Sequence, residues 1–117
     1  WCCLVGSEMC IRDRLKEEDY EAWKALMRGE LHGYDFDAFV ERAVSALNDI
    51  VAKNRGKTVA VTCHGGVVNV WAAHVLGLPP KMFFNPYYTS ISRFRAASSG
   101  EKSVITLNER HHVRDEV

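Results

Sequence analysis

One stretch of the chain, KTVAVTCHGGVVNVWAAHVLGLP at residues 57–79, restricts the possible folds more than any other. Its first part, 57–63, is β-branched and apolar on both faces, which predicts a buried, parallel strand. The following apolar run predicts a buried helix over residues 66–76, which Gly77 ends. A strand that leads directly into a helix through Cys-His-Gly-Gly is typical of α/β folds.

The flanking segments predict two earlier helices and two later strands. Amphipathic spacing favours helices over 15–29 and 36–56, the second of them capped by Asp35. The segments 87–98 and 102–108 read as strands joined by a hairpin-length connection, Ser-Ser-Gly-Glu. The order predicts an α/β or α+β layer with a partly parallel sheet and antiparallel strands at its C-terminal edge.

Length and charge exclude several classes of protein. With 117 residues the chain holds at most one domain, and its formal net charge of +0 argues against a nucleic-acid binder. Asn69 and His74 interrupt the longest apolar stretch, which is too short and too polar to span a membrane.

The junction at His64 suits an anion. Side chains that follow a strand at the carboxyl edge of an α/β sheet are where ligands bind. The first N–H groups of the next helix point toward the same place and favour a phosphate or a developing oxyanion. A histidine there can donate a hydrogen bond to that anion. The alternative is a histidine that only caps the helix, and spacing alone leaves both open.

The segment VAVTCHGGVVNVWAAHVLGLP closely resembles the second-histidine segment of the histidine phosphatase superfamily, the phosphoglycerate mutase-like family. That segment is an apolar strand, Ser-His-Gly-Gly, and an apolar helix ending in Leu-Gly-Leu-Pro. YTSISRF resembles the next strand of the family, and LNERHHV its closing stretch. The resemblance covers about residues 36–113.

The resemblance implies a partial three-layer α/β/α fold with a mixed, mostly parallel sheet. It makes His64 the second catalytic histidine, with Gly65, Tyr88 and Thr89 in contact with the substrate. Cys63 takes the place of the family serine, and Tyr88 that of a family asparagine. The implied activity is hydrolysis of a small phosphomonoester through a phosphohistidine, with no metal and no organic cofactor. Cys63 is the only cysteine outside residues 1–14, which is consistent with the expected location in a reducing cytoplasm.

The departures from the family concern its N-terminal half. No Arg-His-Gly, the family's nucleophile motif, occurs in the sequence, and Leu31 replaces the arginine before His32-Gly33, so His32 is not expected to be the nucleophile. Residues 4–13 back-translate to CTC GTG GGC TCG GAG ATG TGT ATA AGA GAC, which looks like a sequencing-library adapter. We therefore expect 1–14 to be a non-native leader and 15–117 to be the C-terminal part of one domain, inactive alone.

Other reactive residues have ordinary explanations. We expect Cys63 to be a core residue rather than the partner of His64 in a nucleophile pair, because neighbours on a strand point to opposite faces. His74 is expected to be packed or partly exposed. Glu109, His111 and His112 fit no zinc pattern and indicate a surface tail. Arg93 and Arg95 share one face of a strand, as solvated residues, as partners of acids or as a rim for a phosphorylated substrate.

Three alternatives to a phosphatase remain open. Mutase-type phosphotransfer would use the same histidine. An α/β-hydrolase could use His-Gly-Gly in an oxyanion hole, but no Gly-x-Ser-x-Gly follows Gly66. A non-catalytic module that binds a phosphate ligand would need His64 but no nucleophile.

Overall fold

The computed structural model describes residues 18–28 and 35–113. Their elements, in chain order, are α1 (Tyr20–Met27), α2 (Phe36–Lys53), α3 (Gly65–Leu76), β1 (Ile91–Ala96) and β2 (Lys102–Glu109). The mixture of helices with a sheet agrees with the predicted α/β class. The expected leader, residues 1–14, and the His32-Gly33 pair lie outside the described residues.

The side chains of Asp19 and Asp35 begin α1 and α2. The Ala22 amide donates to Asp19 Oδ1 at 3.0 Å at the start of α1, which lies within the helix predicted at 15–29; residues 15–17 and 29 of that prediction lie outside the described residues. The Ala38 amide donates to Asp35 Oδ1 at 2.9 Å, which confirms the predicted cap of α2. Both aspartates satisfy amides that have no partner inside the helix.

Replacing Asp35 by alanine is expected to lower the free energy of unfolding by about 1 kcal/mol, the usual cost of losing such a cap. Urea denaturation of the full chain measures it. Asp37→Ala is the matched control, since Asp37 lies in the first turn of α2 but is not the capping residue. A loss for Asp35→Ala no larger than for Asp37→Ala would contradict the capping role.

The core lies between α2 and α3. Its buried centre is Ala43 from α2 with Val67 and Val70 from α3, and Val70 is only 1% exposed. Half-buried apolar side chains surround this centre: Phe36, Phe39, Val40, Val44, Leu47, Cys63 and Met82. The apolar face of α2 therefore packs against the nearly all-apolar α3, as the sequence pattern predicts.

α3 ends at Gly77 and packs against the hairpin through Trp71. Gly77 adopts φ 71°, and the Leu78 amide donates to the Ala73 carbonyl at 2.9 Å, which is the Schellman arrangement that favours glycine. The Trp71 ring meets Phe94 of β1 edge to face, with 6.4 Å between ring centroids, and Lys102 Nζ lies 5.9 Å from the Trp71 centroid. These contacts fix the hairpin across α3.

β1 and β2 form the predicted antiparallel hairpin. Arg95 pairs with Ser103 and Ala96 with Lys102, next to the turn closed by the Gly100 amide on the Ala97 carbonyl at 3.0 Å. The register shifts on both sides of Arg93, so the strands carry a bulge near their other end. Both predicted strands are confirmed. The first is shorter than the predicted 87–98, and the second runs one residue beyond the predicted 102–108, to Glu109.

The buried strand predicted at residues 57–63 is not present in this structure. The segment forms no ladder with β1 or β2, and the sheet of the described residues has only two strands, in antiparallel order. Val59 and Val61 are 44% and 37% exposed. A strand requires a neighbouring strand to satisfy its backbone, and neither β1 nor β2 pairs with this segment. Within residues 18–28 and 35–113 the predicted parallel sheet is therefore not found, although the apolar sequence is present.

No helix within residues 18–28 and 35–113 is long and apolar enough to cross a membrane. α3 is the most apolar of the helices, but it has 12 residues and is buried by the protein itself. Its character therefore follows from the core that it forms with α2.

Candidate functional site

His64 lies at the N-cap position of α3. Its backbone is extended, with φ −82° and ψ 159°, and its carbonyl accepts from the Val67 amide at 3.0 Å and from the Val68 amide at 3.3 Å. Its side chain makes no capping hydrogen bond. The structure therefore does not support the interpretation of His64 as a simple helix cap, and the half-buried ring is not engaged by the helix start.

Gly65 and Gly66 both belong to α3 and neither has a positive φ. A tight left-handed turn is therefore not the reason for glycine at this junction. A Cβ on Gly66 would lie 3.3 Å from Met82 Cε and 3.5 Å from Phe39 Cζ. The glycine thus allows α2 and the segment around Met82 to approach the first turn of α3 closely.

Asn69 attaches the segment 83–84 to the same end of α3. The Asn69 Nδ2 donates to the Gly65 and Phe84 carbonyls, each at 2.9 Å. Its Oδ1 accepts from the Phe83 amide at 2.9 Å and from the Phe84 amide at 3.1 Å. Asn69 is only 2% exposed, and its buried side-chain amide is fully hydrogen-bonded. These bonds hold residues 83–84 beside Gly65.

The predicted substrate residues Tyr88 and Thr89 are separated from Phe84 by a short stretch of chain. From Phe84 to Tyr88 the chain can extend at most about 14 Å. Tyr88 is 57% exposed. The Thr89 hydroxyl donates to the Tyr88 carbonyl at 2.6 Å, so its proton is used inside the turn. Contact between Thr89 and a phosphate oxygen through this hydroxyl would require the hydroxyl to rotate.

Asn108 joins this region to the end of β2. The side-chain Oδ1 of Asn108 accepts from the Tyr87 backbone N–H at 2.9 Å, and the backbone N–H of Asn108 donates to Ser92 Oγ at 3.1 Å. Asn108 has φ 59°, a left-handed conformation that asparagine tolerates better than most residues. Asn108 of the closing stretch is therefore a structural link to the segment that carries Tyr88 and Thr89.

The remaining sequence candidates mostly take structural roles. Cys63 is half-buried against the core and His74 is exposed, with its ring 5.3 Å from that of Trp71, both as predicted. Arg93 and Arg95 share the exposed face of β1. Arg93 Nε donates to Glu109 Oε2 at 2.7 Å, so the predicted partnership with an acid is found.

Glu109 is the carboxylate that orders the bulged end of the hairpin. It accepts hydrogen bonds from the Thr106 hydroxyl and from Arg93. The bond from Thr106 is the main cause that lowers the pKa of Glu109 below its ordinary value, and Arg93 adds to it. The Glu109 carboxylate thus accepts hydrogen bonds within the hairpin, which indicates a structural role rather than acid–base chemistry.

A cleft among the described residues is not lined by His64. It has a volume of about 510 Å³ and lies between residues 57–59 and the turn end of the hairpin, 94–97 with 101–103. None of the four predicted site residues lines it. Within the described ranges 18–28 and 35–113 there is no group of three or more His, Cys, Asp or Glu side chains placed to hold a metal ion.

Asn69 and Asn108 were not singled out by the sequence interpretation. The available signal for Asn69 was a polar residue in the middle of an otherwise apolar helix, because a buried amide must find partners. Asn108 offered no comparable signal, since the partners of its side chain are backbone groups of a segment more than twenty residues earlier.

Comparison with known proteins identifies the family of the chain. No curated protein and no solved structure matches the chain significantly. The family description of the histidine phosphatase superfamily (branch 1) matches residues 6–110, from the predicted leader to the end of β2. Because the match spans most of the sequence and includes the His-Gly-Gly junction, the chain belongs to the histidine phosphatase superfamily.

Proposed function

We propose that the chain supplies the second phosphate-binding histidine, His64, of a phosphomonoesterase site. The observation that carries the proposal is the N-cap position of His64 with a side chain that does not cap the helix. The ring is thereby left to donate a hydrogen bond beside the first amides of α3, which have no partner inside the helix.

The proposed chemistry is in-line phosphoryl transfer to a histidine, followed by hydrolysis of the phosphohistidine. In this scheme the ester P–O bond breaks as a P–N bond forms, and water later breaks the P–N bond to release phosphate. His64 and the amides at the start of α3 stabilise the charge on the transferring phosphoryl group. The scheme uses neither a metal nor an organic cofactor.

The nucleophile in this proposal belongs to an Arg-His-Gly segment, which the 117 residues do not include. We propose that 15–117 form the C-terminal part of the domain and that residues 57–63 pair with a further strand. The exposure of Val59 and Val61 supports this, because such apolar residues are usually covered in an α/β sheet. The cleft between 57–59 and β1 is where such a strand would fit.

Gly65, Tyr88 and Thr89 are the proposed substrate contacts. Gly65 offers its backbone amide next to His64, and the Asn69 hydrogen bonds hold the segment that leads to Tyr88 beside it. The substrate would be a small phosphorylated molecule, and a cytoplasmic location stays a prediction.

Two alternatives share this site. Mutase-type phosphotransfer would use the same residues with a different acceptor, and a binding module would use His64 without a nucleophile. The α/β-hydrolase interpretation is dropped, because the family match covers the His-Gly-Gly segment itself.

The full chain is expected to bind inorganic phosphate weakly at His64 without hydrolysing a generic aryl phosphate between about pH 5 and 8, where histidine titrates. Phosphate titration followed by NMR of the histidine rings tests binding, and release of the aryl alcohol tests turnover. His64→Ala should abolish the binding shift, whereas His74→Ala should preserve it.

Turnover by the full chain that disappears in His32→Ala would contradict the assignment of the nucleophile. An unchanged His64 resonance at saturating phosphate would contradict the proposed site itself. Detection of an acid-labile phosphohistidine in a family member that carries both Arg-His-Gly and this segment would distinguish an enzyme from a binding module, since only an enzyme accumulates it.

A further inference from the structure

The segment Tyr87–Ser90 is a turn held in an unusual conformation. The Ser90 amide donates to the Tyr87 carbonyl at 3.1 Å and closes it. Thr89, at its third position, has φ 59°. A positive φ at that position is typical of type II turns and is normally supplied by glycine or asparagine. For a β-branched residue it is unfavourable, so the surrounding structure must hold it.

Three residues near the end of β2 hold this turn. Asn108 lies in β2, and Arg110 and His112 follow it. Asn108 Oδ1 accepts from the Tyr87 amide at 2.9 Å, and the guanidinium carbon of Arg110 lies 3.9 Å from the centre of the Tyr87 ring. His112 Nε2 lies 2.7 Å from the Thr89 carbonyl oxygen. The first two contacts fix Tyr87, and only the His112 contact reaches the strained residue directly.

We propose that His112 is a positioning residue that holds Thr89 in its left-handed conformation and so sets the ligand affinity of the Tyr88–Thr89 contact. The inference rests on the proposed function, in which these two residues contact the substrate. A carbonyl oxygen only accepts, so His112 must donate from a protonated Nε2. The segment expected to be a surface tail therefore has a structural partner more than twenty residues away.

His111 provides a matched control for this role. It is the neighbouring residue, it is also exposed, and its ring meets that of His112 edge to face with 6.0 Å between centroids. A glutamine at position 112 provides the conservative variant, because its amide nitrogen can donate in place of Nε2.

The test uses the full chain with inorganic phosphate as the probe. Amide NMR follows the Tyr87–Ser90 turn, and phosphate titration gives the dissociation constant. His112→Ala is expected to shift the amide resonances of the turn and to weaken phosphate binding by about 10-fold, the effect of losing one hydrogen bond. His112→Gln is expected to restore both, and His111→Ala to change neither.

The anchoring role is overturned if His112→Ala leaves the turn resonances in place, or if His111→Ala shifts them equally. The effect on affinity is overturned if His112→Ala shifts the turn but binds phosphate like the unsubstituted chain. If the unsubstituted chain gives no phosphate response at His64, the proposed function fails together with the affinity effect. The turn resonances then still decide whether His112 anchors Thr89.

Discussion

Replacing His64 by alanine is expected to lower kcat by about 100- to 1,000-fold in an enzyme that contains this segment. Loss of one preorganised donor to a developing charge has this effect, equivalent to about 3–4 kcal/mol of transition-state stabilisation. A suitable enzyme is a chimera in which residues 35–113 of this chain replace the matching segment of a superfamily member that carries Arg-His-Gly. Steady-state kinetics measure the loss.

The same variant should keep nearly all of its stability. The His64 side chain makes no capping hydrogen bond, so its removal costs α3 no such bond. A residue that capped the helix would instead cost about 1 kcal/mol of unfolding free energy and leave the chemistry intact. His74→Ala, on the same helix and exposed, is the control for both measurements. Near-normal turnover with a lowered denaturation midpoint would disprove the phosphoryl-binding role.

Local signals in the sequence predicted the elements whose partners are close along the chain. Asp35 caps α2, Gly77 ends α3 in a left-handed conformation, and a short connection joins the two antiparallel strands. Each of these depends on backbone groups within a few residues. The segment 57–63 has the sequence of an inner strand, but pairing depends on a neighbouring strand that is often distant in sequence, and the sheet of the described residues consists of β1 and β2 alone.

In the candidate site, too, features set by neighbouring residues could be predicted, and links between distant residues could not. His64 could be predicted because strand, histidine and glycines follow one another. The links through Asn69, Asn108 and His112 could not, since each bridges backbone and side chain over fourteen residues or more. They involve ordinary polar residues, whose partners become visible only when the chain has folded.

Replacing Asn69 by alanine is expected to lower the free energy of unfolding by about 3–4 kcal/mol, since net losses of about 1 kcal/mol per hydrogen bond accumulate over its four bonds. Urea denaturation of the full chain measures it. Asn54→Ala is the control. Its Nδ2 makes one bond, to the Ile50 carbonyl at 2.8 Å, so the loss should be near 1 kcal/mol. Equal losses for the two variants would show that Asn69 does not hold the 83–84 segment.

Asn69→Asp adds a pH dependence that identifies the lost donors. One carboxyl oxygen can still accept from the Phe83 and Phe84 amides, but an ionised carboxylate would face the Gly65 and Phe84 carbonyls, to which Asn69 Nδ2 donates. Burial and these carbonyls favour the protonated form and raise the pKa of the introduced carboxyl above its unfolded value of about 3.9. The folded state then binds the extra proton, so the variant loses stability as the pH rises through the folded pKa. The deficit relative to the unsubstituted chain should therefore be larger at about pH 7 than at about pH 4, and a pH-independent deficit would contradict the donor role of Asn69 Nδ2.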